Sequence, residues 1–288
     1  MPVKEDRLAY IYLAPAAVWL ILFMGYPILD VVKTSLYHTS YKGERFVGLE
    51  NFVHLATDDL LHLVLKNTAI WTLCGVVLNV GFGLGVGLLL NKKTRVNEVL
   101  RTGLILAWST PLVVAAITWK WMLNGEYGQL NSLLLSVHLI EEPVQWLTGA
   151  NTAFAGGMVA RLWTALPFTT FAFLSALQTV PDELYEASVI DGASNWQQFR
   201  HVTLPTIRPV TLAVLLISVI WSFNSFIFVY VITGGGPANQ TQILVTEIFR
   251  RAFGYFNFGE ASALTLLAFG VLLVVSLLQW RFLYRREI

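Results

Sequence analysis

The sequence predicts an all-α, polytopic membrane protein: one transmembrane domain over residues 1–288 with six transmembrane helices. Three observations carry this. The 288 residues are 56% hydrophobic and only 13% charged, with a mean hydropathy of +0.62, whereas soluble domains carry about 25% charged residues. Six apolar stretches, at 8–29, 67–90, 102–119, 152–180, 209–233 and 261–280, are each long enough to cross a bilayer as a helix. One polar, heavily punctuated segment, 181–208, separates the fourth stretch from the fifth.

The first stretch, Leu8 to Leu29, follows Lys4 and Arg7 and has 22 residues without a charge. A signal peptide starts in the same way, but its apolar core runs to roughly 7–15 residues, so this stretch reads as a retained span. The polar connection from Asp30 to Lys66 contains His38, His54 and His62 in no catalytic pattern, and they read as surface residues. In the second stretch Gly81, Gly83, Gly85 and Gly87 form two small-xxx-small pairs, 81/85 and 83/87, which let a neighbouring helix approach closely. Cys74 lies in the same stretch. As the single cysteine it forms no internal disulfide or thiolate metal site, and it reads as packing.

A short basic turn follows, from Asn91 to Arg101, and then the third stretch with Pro111 as an expected kink in its middle. Lys120 to Ala150 reads as a polar loop, with Glu126, Glu141 and Glu142 as a solvated acidic edge rather than a metal site. The fourth stretch is interrupted by Arg161 and Pro167. A charge this deep costs roughly 2.5–3.5 kcal/mol on insertion scales, so Arg161 either faces the bundle interior or a watery cavity, or snorkels to an interface a few turns away. The fifth stretch is centred on Trp221-Ser222-Phe223-Asn224-Ser225-Phe226. Polar groups among aromatic rings suit a hydroxylated ligand, and they equally suit hydrogen bonds between helices.

Gly234-Gly235-Gly236-Pro237 ends that helix as a turn. It is not a phosphate loop, because it follows a helix and lacks the Gly-Lys-Ser/Thr ending. Gln242 to Phe256 spaces its apolar residues as an amphipathic helix lying in the interface, with Glu247, Arg250 and Arg251 between them. The sixth stretch ends before Arg281, Arg285 and Arg286. With six spans, the termini, the 91–101 turn and the 179–208 loop share one side, which holds 11 basic residues against 7 on the other. The positive-inside rule therefore puts both termini in the cytoplasm. A net charge of +1 leaves no basic excess for phosphates, so nucleic acid is excluded as a partner.

The segment 181–208 has its own grammar. Pro181 suits a first helical turn, with Asp182 and Glu183 at the positive end of the helix dipole. Gly192 suits a helix end, Ser194 and Gln197 form a capping box, and Leu204-Pro205 is expected to stop the second helix. This makes two short helices joined by a glycine bend, a docking element for a soluble partner.

Glu186-Ala187-Ser188, three residues, Gly192, nine residues, then Val202-Thr203-Leu204-Pro205 resembles the Glu-Ala-Ala loop of permease subunits in binding-protein-dependent ABC importers. Ser188 replaces the second alanine and Val202 an isoleucine; both keep size and character. Leu177-Gln178 leading into Pro181-Asp182-Glu183-Leu184-Tyr185, Trp221 to Asn224, Thr233 to Pro237 and, more weakly, Ala14-Pro15-Ala16 are similar to the carbohydrate branch, the maltose and glycerol-phosphate type. The likeness runs from the first span to the last.

This resemblance implies the transmembrane domain of a type I importer with a cytoplasmic coupling helix pair, in the cytoplasmic (inner) membrane of a bacterium or archaeon. It implies as partners a second permease subunit, by family habit a different chain, two ATPase subunits, an extracytoplasmic solute-binding protein, and a sugar or oligosaccharide as substrate. No Walker motif occurs in the chain, so no cofactor is expected on it, and ATP and Mg belong to the ATPase partner; neither a catalytic residue nor a metal is expected. The resemblance implies ATPase coupling through Glu186, Ala187, Ser188, Asp191, Gly192, Leu204 and Pro205. By similarity, the substrate pathway maps onto Arg161, Ala165, Phe168 and Thr169 before the loop, and Ser218, Ser222, Phe223, Asn224 and Ser225 after it. Two other readings stand beside this one. A permease for a non-sugar solute keeps the same loop. An ion-coupled secondary transporter needs intramembrane carboxylates, and the six stretches have no Asp or Glu away from their ends.

Overall fold

The structure is a computed structural model that describes residues 3–40, 43–92 and 94–284. Lys42, Lys93, Arg285 and Arg286, which enter the charge count, lie outside the described residues. The chain is mostly helical. Among the described residues five helices are long and apolar enough to cross a membrane, and a bent helix pair makes a sixth if it is one span. The residues fall into two compact units, Met1–Leu61 with Glu247–Val271, and His62–Thr246 with Leu272–Ile288.

In the first unit Val3–Leu20, a π turn at Ile21–Gly25 and Tyr26–Ser35 follow one another as one helix (α1, 3–35), longer than the expected 8–29. The π turn lies just before Pro27. Proline lacks the ladder N–H and crowds the carbonyl four residues back, and the wider turn relieves both. A hairpin follows, β1 (Tyr37–Ser40) antiparallel to β2 (Gly43–Phe46), with Tyr37 opposite Phe46. Asn51, in α2 (Glu50–Ala56), fixes the exit from α1 by donating from Nδ2 to the carbonyls of Ser35 (2.8 Å) and Tyr37 (3.0 Å).

The same unit contains a buried ion cluster that the sequence did not announce. Arg251 donates to Glu247 at 2.8 Å and also bonds Asp58 and Glu260, while His54 Nδ1 lies 3.0 Å from Glu260. Glu247 is fully buried and Arg251 nearly so. The helix expected to be amphipathic is Leu244–Phe249 plus a π turn at Arg250–Gly254 (244–254), and its two faces do not divide as expected: Glu247 and Arg251 are buried together with Leu244 and Ala252, while Phe253, Tyr255 and Phe256 are exposed. The i,i+4 pair of acid and base on one face carried its own counter-charges inward. Burial acts to raise the Asp58 carboxyl, but the bond and charge of Arg251 prevail and hold it below its ordinary value.

In the second unit the long helix α3 (Asp59–Leu90) uses its two glycine pairs differently. A Cβ on Gly83 would sit 2.8 Å from Thr169 Cβ and one on Gly87 3.2 Å from Phe173 Cβ, whereas Gly81 and Gly85 meet nothing within 4 Å. Only the 83/87 pair is the close packing seam, against α7. Cys74 lies on the exposed face of α3 rather than in packing.

The third predicted span is not a kinked helix but two helices, α4 (Arg95–Ser109) and α5 (Leu112–Met122), at 101°. Pro111 drives the residue before it out of the helical region, and Thr110 is extended at φ −72°, ψ 124°. The loop 120–150 holds a further helix, α6 (Gln129–Ser136). Its buried Asn131 donates to the carbonyls of Gly125 and Val144 and accepts from the Val144 N–H and Trp146 Nε1. Helix α7 (Ala150–Leu177) runs unbroken through Pro167 and is the most buried of the spans.

After the polar segment, α10 (Arg208–Phe223) and α11 (Phe226–Ile232) are separated by a break at Asn224 and Ser225, inside what the sequence presents as one span. α5 and α11 pack on each other and on α7, around a core that includes Trp71, Ala116, Leu123, Met158, Phe228, Val229 and Ile232. A last helix, Phe258–Tyr284, completes the described residues.

Candidate functional site

Two places in the second unit carry function-bearing side chains, a cavity and the polar segment. The cavity, of about 510 Å³, lies where the two chain breaks meet α7. Trp108 to Leu112 line it from the α4–α5 break; Trp221, Asn224, Ser225, Ile227 and Phe228 from the α10–α11 break; and Arg161, Thr164 and Ala165 from α7. Irregular backbone at membrane depth is tolerated where it is buried in protein or lines a cavity, and both breaks meet that condition.

Arg161 is only 3% exposed. Its Nε donates to Ser225 Oγ at 2.9 Å, and Ser225 in turn donates to the Trp221 carbonyl. Its two terminal nitrogens have no hydrogen-bond partner among the described residues. The guanidinium is thus held inside the bundle rather than snorkelling outward. Among the described residues, no acidic side chain lines the cavity.

Of the nine residues mapped to a pathway, Arg161, Ala165, Asn224 and Ser225 line this cavity. Phe168 stands just behind it, tilted against Trp221 at 4.8 Å and Trp108 at 6.4 Å. The other four are used in packing between helices. Thr169 is the surface on which Gly83 seats, Ser218 Oγ accepts from Asn79 Nδ2 at 2.9 Å, Ser222 faces Gly75, and Phe223 is buried. Sequence reasoning missed the α4–α5 wall. Its signal was Ser109-Thr110-Pro111, two hydroxyl residues before a proline inside an apolar stretch.

The polar segment is a helical hairpin. Helix α8 (Asp182–Ile190) has no buried residue. It ends at Asp191 and Gly192, the glycine at φ +77°, with bonds from the Gly192 N–H to the Val189 carbonyl (3.0 Å) and from the Ala193 N–H to the Ser188 carbonyl (2.9 Å). This double bond pattern is the Schellman cap, which needs a left-handed residue at the glycine position. Ser194 and Gln197 form the capping box, both halves present, and open α9 (195–206).

Leu204-Pro205 does not stop α9. A π turn at Phe199–Thr203, in which the Leu204 N–H reaches back to the Phe199 carbonyl, carries the helix through Pro205 as far as Thr206. This repeats the arrangement before Pro27. The change of direction falls at Ile207, and Pro209 then occupies the first turn of α10.

Tyr185 Oη and Thr203 Oγ1, 2.8 Å apart, tie the two hairpin helices together. Beneath them Phe173, Ala176, Leu177, Val180, Ile207 and Val214 form one core with Tyr185, Val202 and Val210 packed on it, joining the hairpin to the ends of α7 and α10. The opposite face is open: Glu186, Ala187, Asp191 and Gly192 are exposed, and so are Leu184, Val189, Ile190 at 86% and Trp196 at 66%.

The sequence profile described as "Binding-protein-dependent transport system inner membrane component" matches residues 61–287. The chain is 36% identical over 287 residues to a probable ABC transporter permease protein of Brucella suis, covering 99% of each chain. It is 32% identical to the trehalose/maltose transport system permease protein of Thermococcus litoralis, over 94% of this chain and 91% of that one. In fold it resembles a chain of a bacterial ABC transporter that imports the acidic polysaccharide alginate, with a TM-score of 0.85, 21% identity and coverage of 99% and 98%.

Proposed function

The chain belongs to the family of binding-protein-dependent transport system inner membrane components, and from that premise we propose that it forms half of the translocation pathway of an ATP-driven sugar importer. It sits in the cytoplasmic (inner) membrane of a bacterium or archaeon with both termini inside. A second permease subunit supplies the other half. An extracytoplasmic binding protein delivers the sugar, and two ATPase subunits, which hold ATP and Mg, drive the cycle. The sugar assignment is supported by the trehalose/maltose relative and by the cavity, where indole rings and the amide of Asn224 offer the two kinds of surface a sugar presents.

The observation that carries the proposal is the open face of the 182–206 hairpin together with its buried core. Glu186 offers a charge to the ATPase, Ala187 and Ser188 allow close approach, and Val189, Ile190 and Trp196 supply the apolar contact area. A displacement of α8 passes through the Tyr185–Thr203 contact and the Ile207 core into α10. α10 ends at Asn224 and Ser225, in the cavity wall. ATPase closure therefore reaches the cargo site along one packed path.

Glu186→Arg tests this. Glu186 is exposed, so membrane insertion persists, while uptake is lost and ATP hydrolysis by the assembled complex no longer follows transport. Normal uptake in that variant contradicts the proposal.

A further inference from the structure

We propose that Arg161 makes the cavity selective for a cargo that carries an acidic group: an anionic sugar rather than a neutral one. The inference rests on the transport reading above and names the substrate class of the same cavity.

The argument begins with unmet hydrogen-bond capacity. A guanidinium has five N–H donors in a fixed fork, and the structure satisfies one nitrogen, Nε, through Ser225. Nη1 and Nη2 are buried without a partner, and so is Ser222 Oγ. The unsatisfied groups converge. The position a Cβ would take on Gly75 lies 2.9 Å from Ser222 Oγ and 3.2 Å from Arg161 Nη1, so only a glycine lets the α3 backbone come this close to both groups. A buried cation is retained where it gains an opposite charge or a full set of acceptors. Neither the cavity lining nor the interior of the adjoining spans offers a carboxylate.

A planar fork beside a hydroxyl matches a carboxylate, phosphate or sulfonate, which accept two parallel N–H bonds. Neutral sugar hydroxyls can accept from the fork but bring no opposite charge to the buried cation. The fork is closed off here, with its Nε held by Ser225 at the α10–α11 break. Movement of that break, the element the coupling path reaches, frees the fork to meet a cargo anion.

The test uses the whole complex, both permease subunits with the ATPase, in proteoliposomes with the cognate binding protein. Uptake is measured for a uronate oligosaccharide, its methyl ester, the parent neutral oligosaccharide, and a phosphorylated and a sulfonated sugar. The expected result is ATP-dependent uptake of at least one acidic sugar, at least tenfold above its neutral counterpart. That preference collapses in Arg161→Gln and persists in part in Arg161→Lys. Size-exclusion chromatography establishes that each variant complex assembles. If Arg161→Gln does not assemble, the wild-type comparison of acid and ester decides. Equal or better uptake of neutral sugars by the wild type, or an acid preference intact in Arg161→Gln, overturns the proposal and leaves the permease reading standing. No ATP-dependent uptake of any sugar counts instead against the permease reading.

Discussion

Gly192 offers the sharpest perturbation of the coupling hairpin, because its role separates cleanly into backbone and space. At φ +77° it occupies the left-handed region, yet a Cβ built on it meets nothing within 4 Å. The cost of Gly192→Ala is therefore conformational alone, about 1–2 kcal/mol for an L-residue in that region. Asparagine, which tolerates the left-handed region, costs less. Proline cannot reach a positive φ and also deletes the N–H that bonds the Val189 carbonyl at 3.0 Å. A shift of about 1.4 kcal/mol is a tenfold change in the population of the bent hairpin. Initial uptake rates in proteoliposomes, alongside ATP hydrolysed per sugar moved, should fall in the order Gly, Asn, Ala, Pro, with the Pro variant hydrolysing ATP without transport. A Pro variant that transports as wild type, or an Asn variant as impaired as Pro, refutes the reasoning that the bend transmits the ATPase movement.

The glycine seam makes a paired prediction. Gly83→Ala drives a methyl into Thr169 and should destabilise by roughly 1–3 kcal/mol as overpacking, while Gly81→Ala, facing open space, should leave the melting temperature of the purified protein unchanged or slightly raised. In the ion cluster, Arg251→Met removes the cation shared by Glu247, Asp58 and Glu260, leaving Arg250 as the basic neighbour of Glu247, and should cost about 3 kcal/mol, read as loss of thermal stability in detergent; an unchanged melting curve counts against the cluster. Because the Asp58 carboxyl is held below its ordinary value of 3.8, its contribution is full above that pH and lost as pH falls through the lower folded value. The loss of melting temperature on Asp58→Asn substitution should therefore be full at about pH 6 and shrink as pH falls through the lowered folded value.

The parts of the fold governed by local chemistry were legible in the sequence. Composition and apolar run length announced a polytopic helical protein, and Gly192 with the Ser194–Gln197 box took up the conformations their residue types favour. What stayed hidden depended on partners distant in the chain. Pro111 reads the same whether it kinks a helix or breaks it by 101°, and Pro205 reads as a stop until a π turn carries the helix past it. Glu247 and Arg251 look like the solvated face of an amphipathic helix, because Asp58, which draws Arg251 inward, lies nearly 200 residues earlier. In the cavity, polar residues of one span divide between two uses: Asn224 and Ser225 line it, whereas Ser218 bonds Asn79. That division depends on which way each side chain faces around a helix whose break the sequence does not mark.

The central claim is that this chain moves sugar only when an ATPase acts on the 182–206 hairpin. The most direct measurement is uptake of the sugar bound by the cognate binding protein into proteoliposomes holding the permease pair, with and without the ATPase subunits, and with ATP inside. The account predicts uptake in the complete system alone, abolished by omitting the ATPase or by Glu186→Arg. Uptake that survives without the ATPase, driven by an imposed ion gradient, contradicts it.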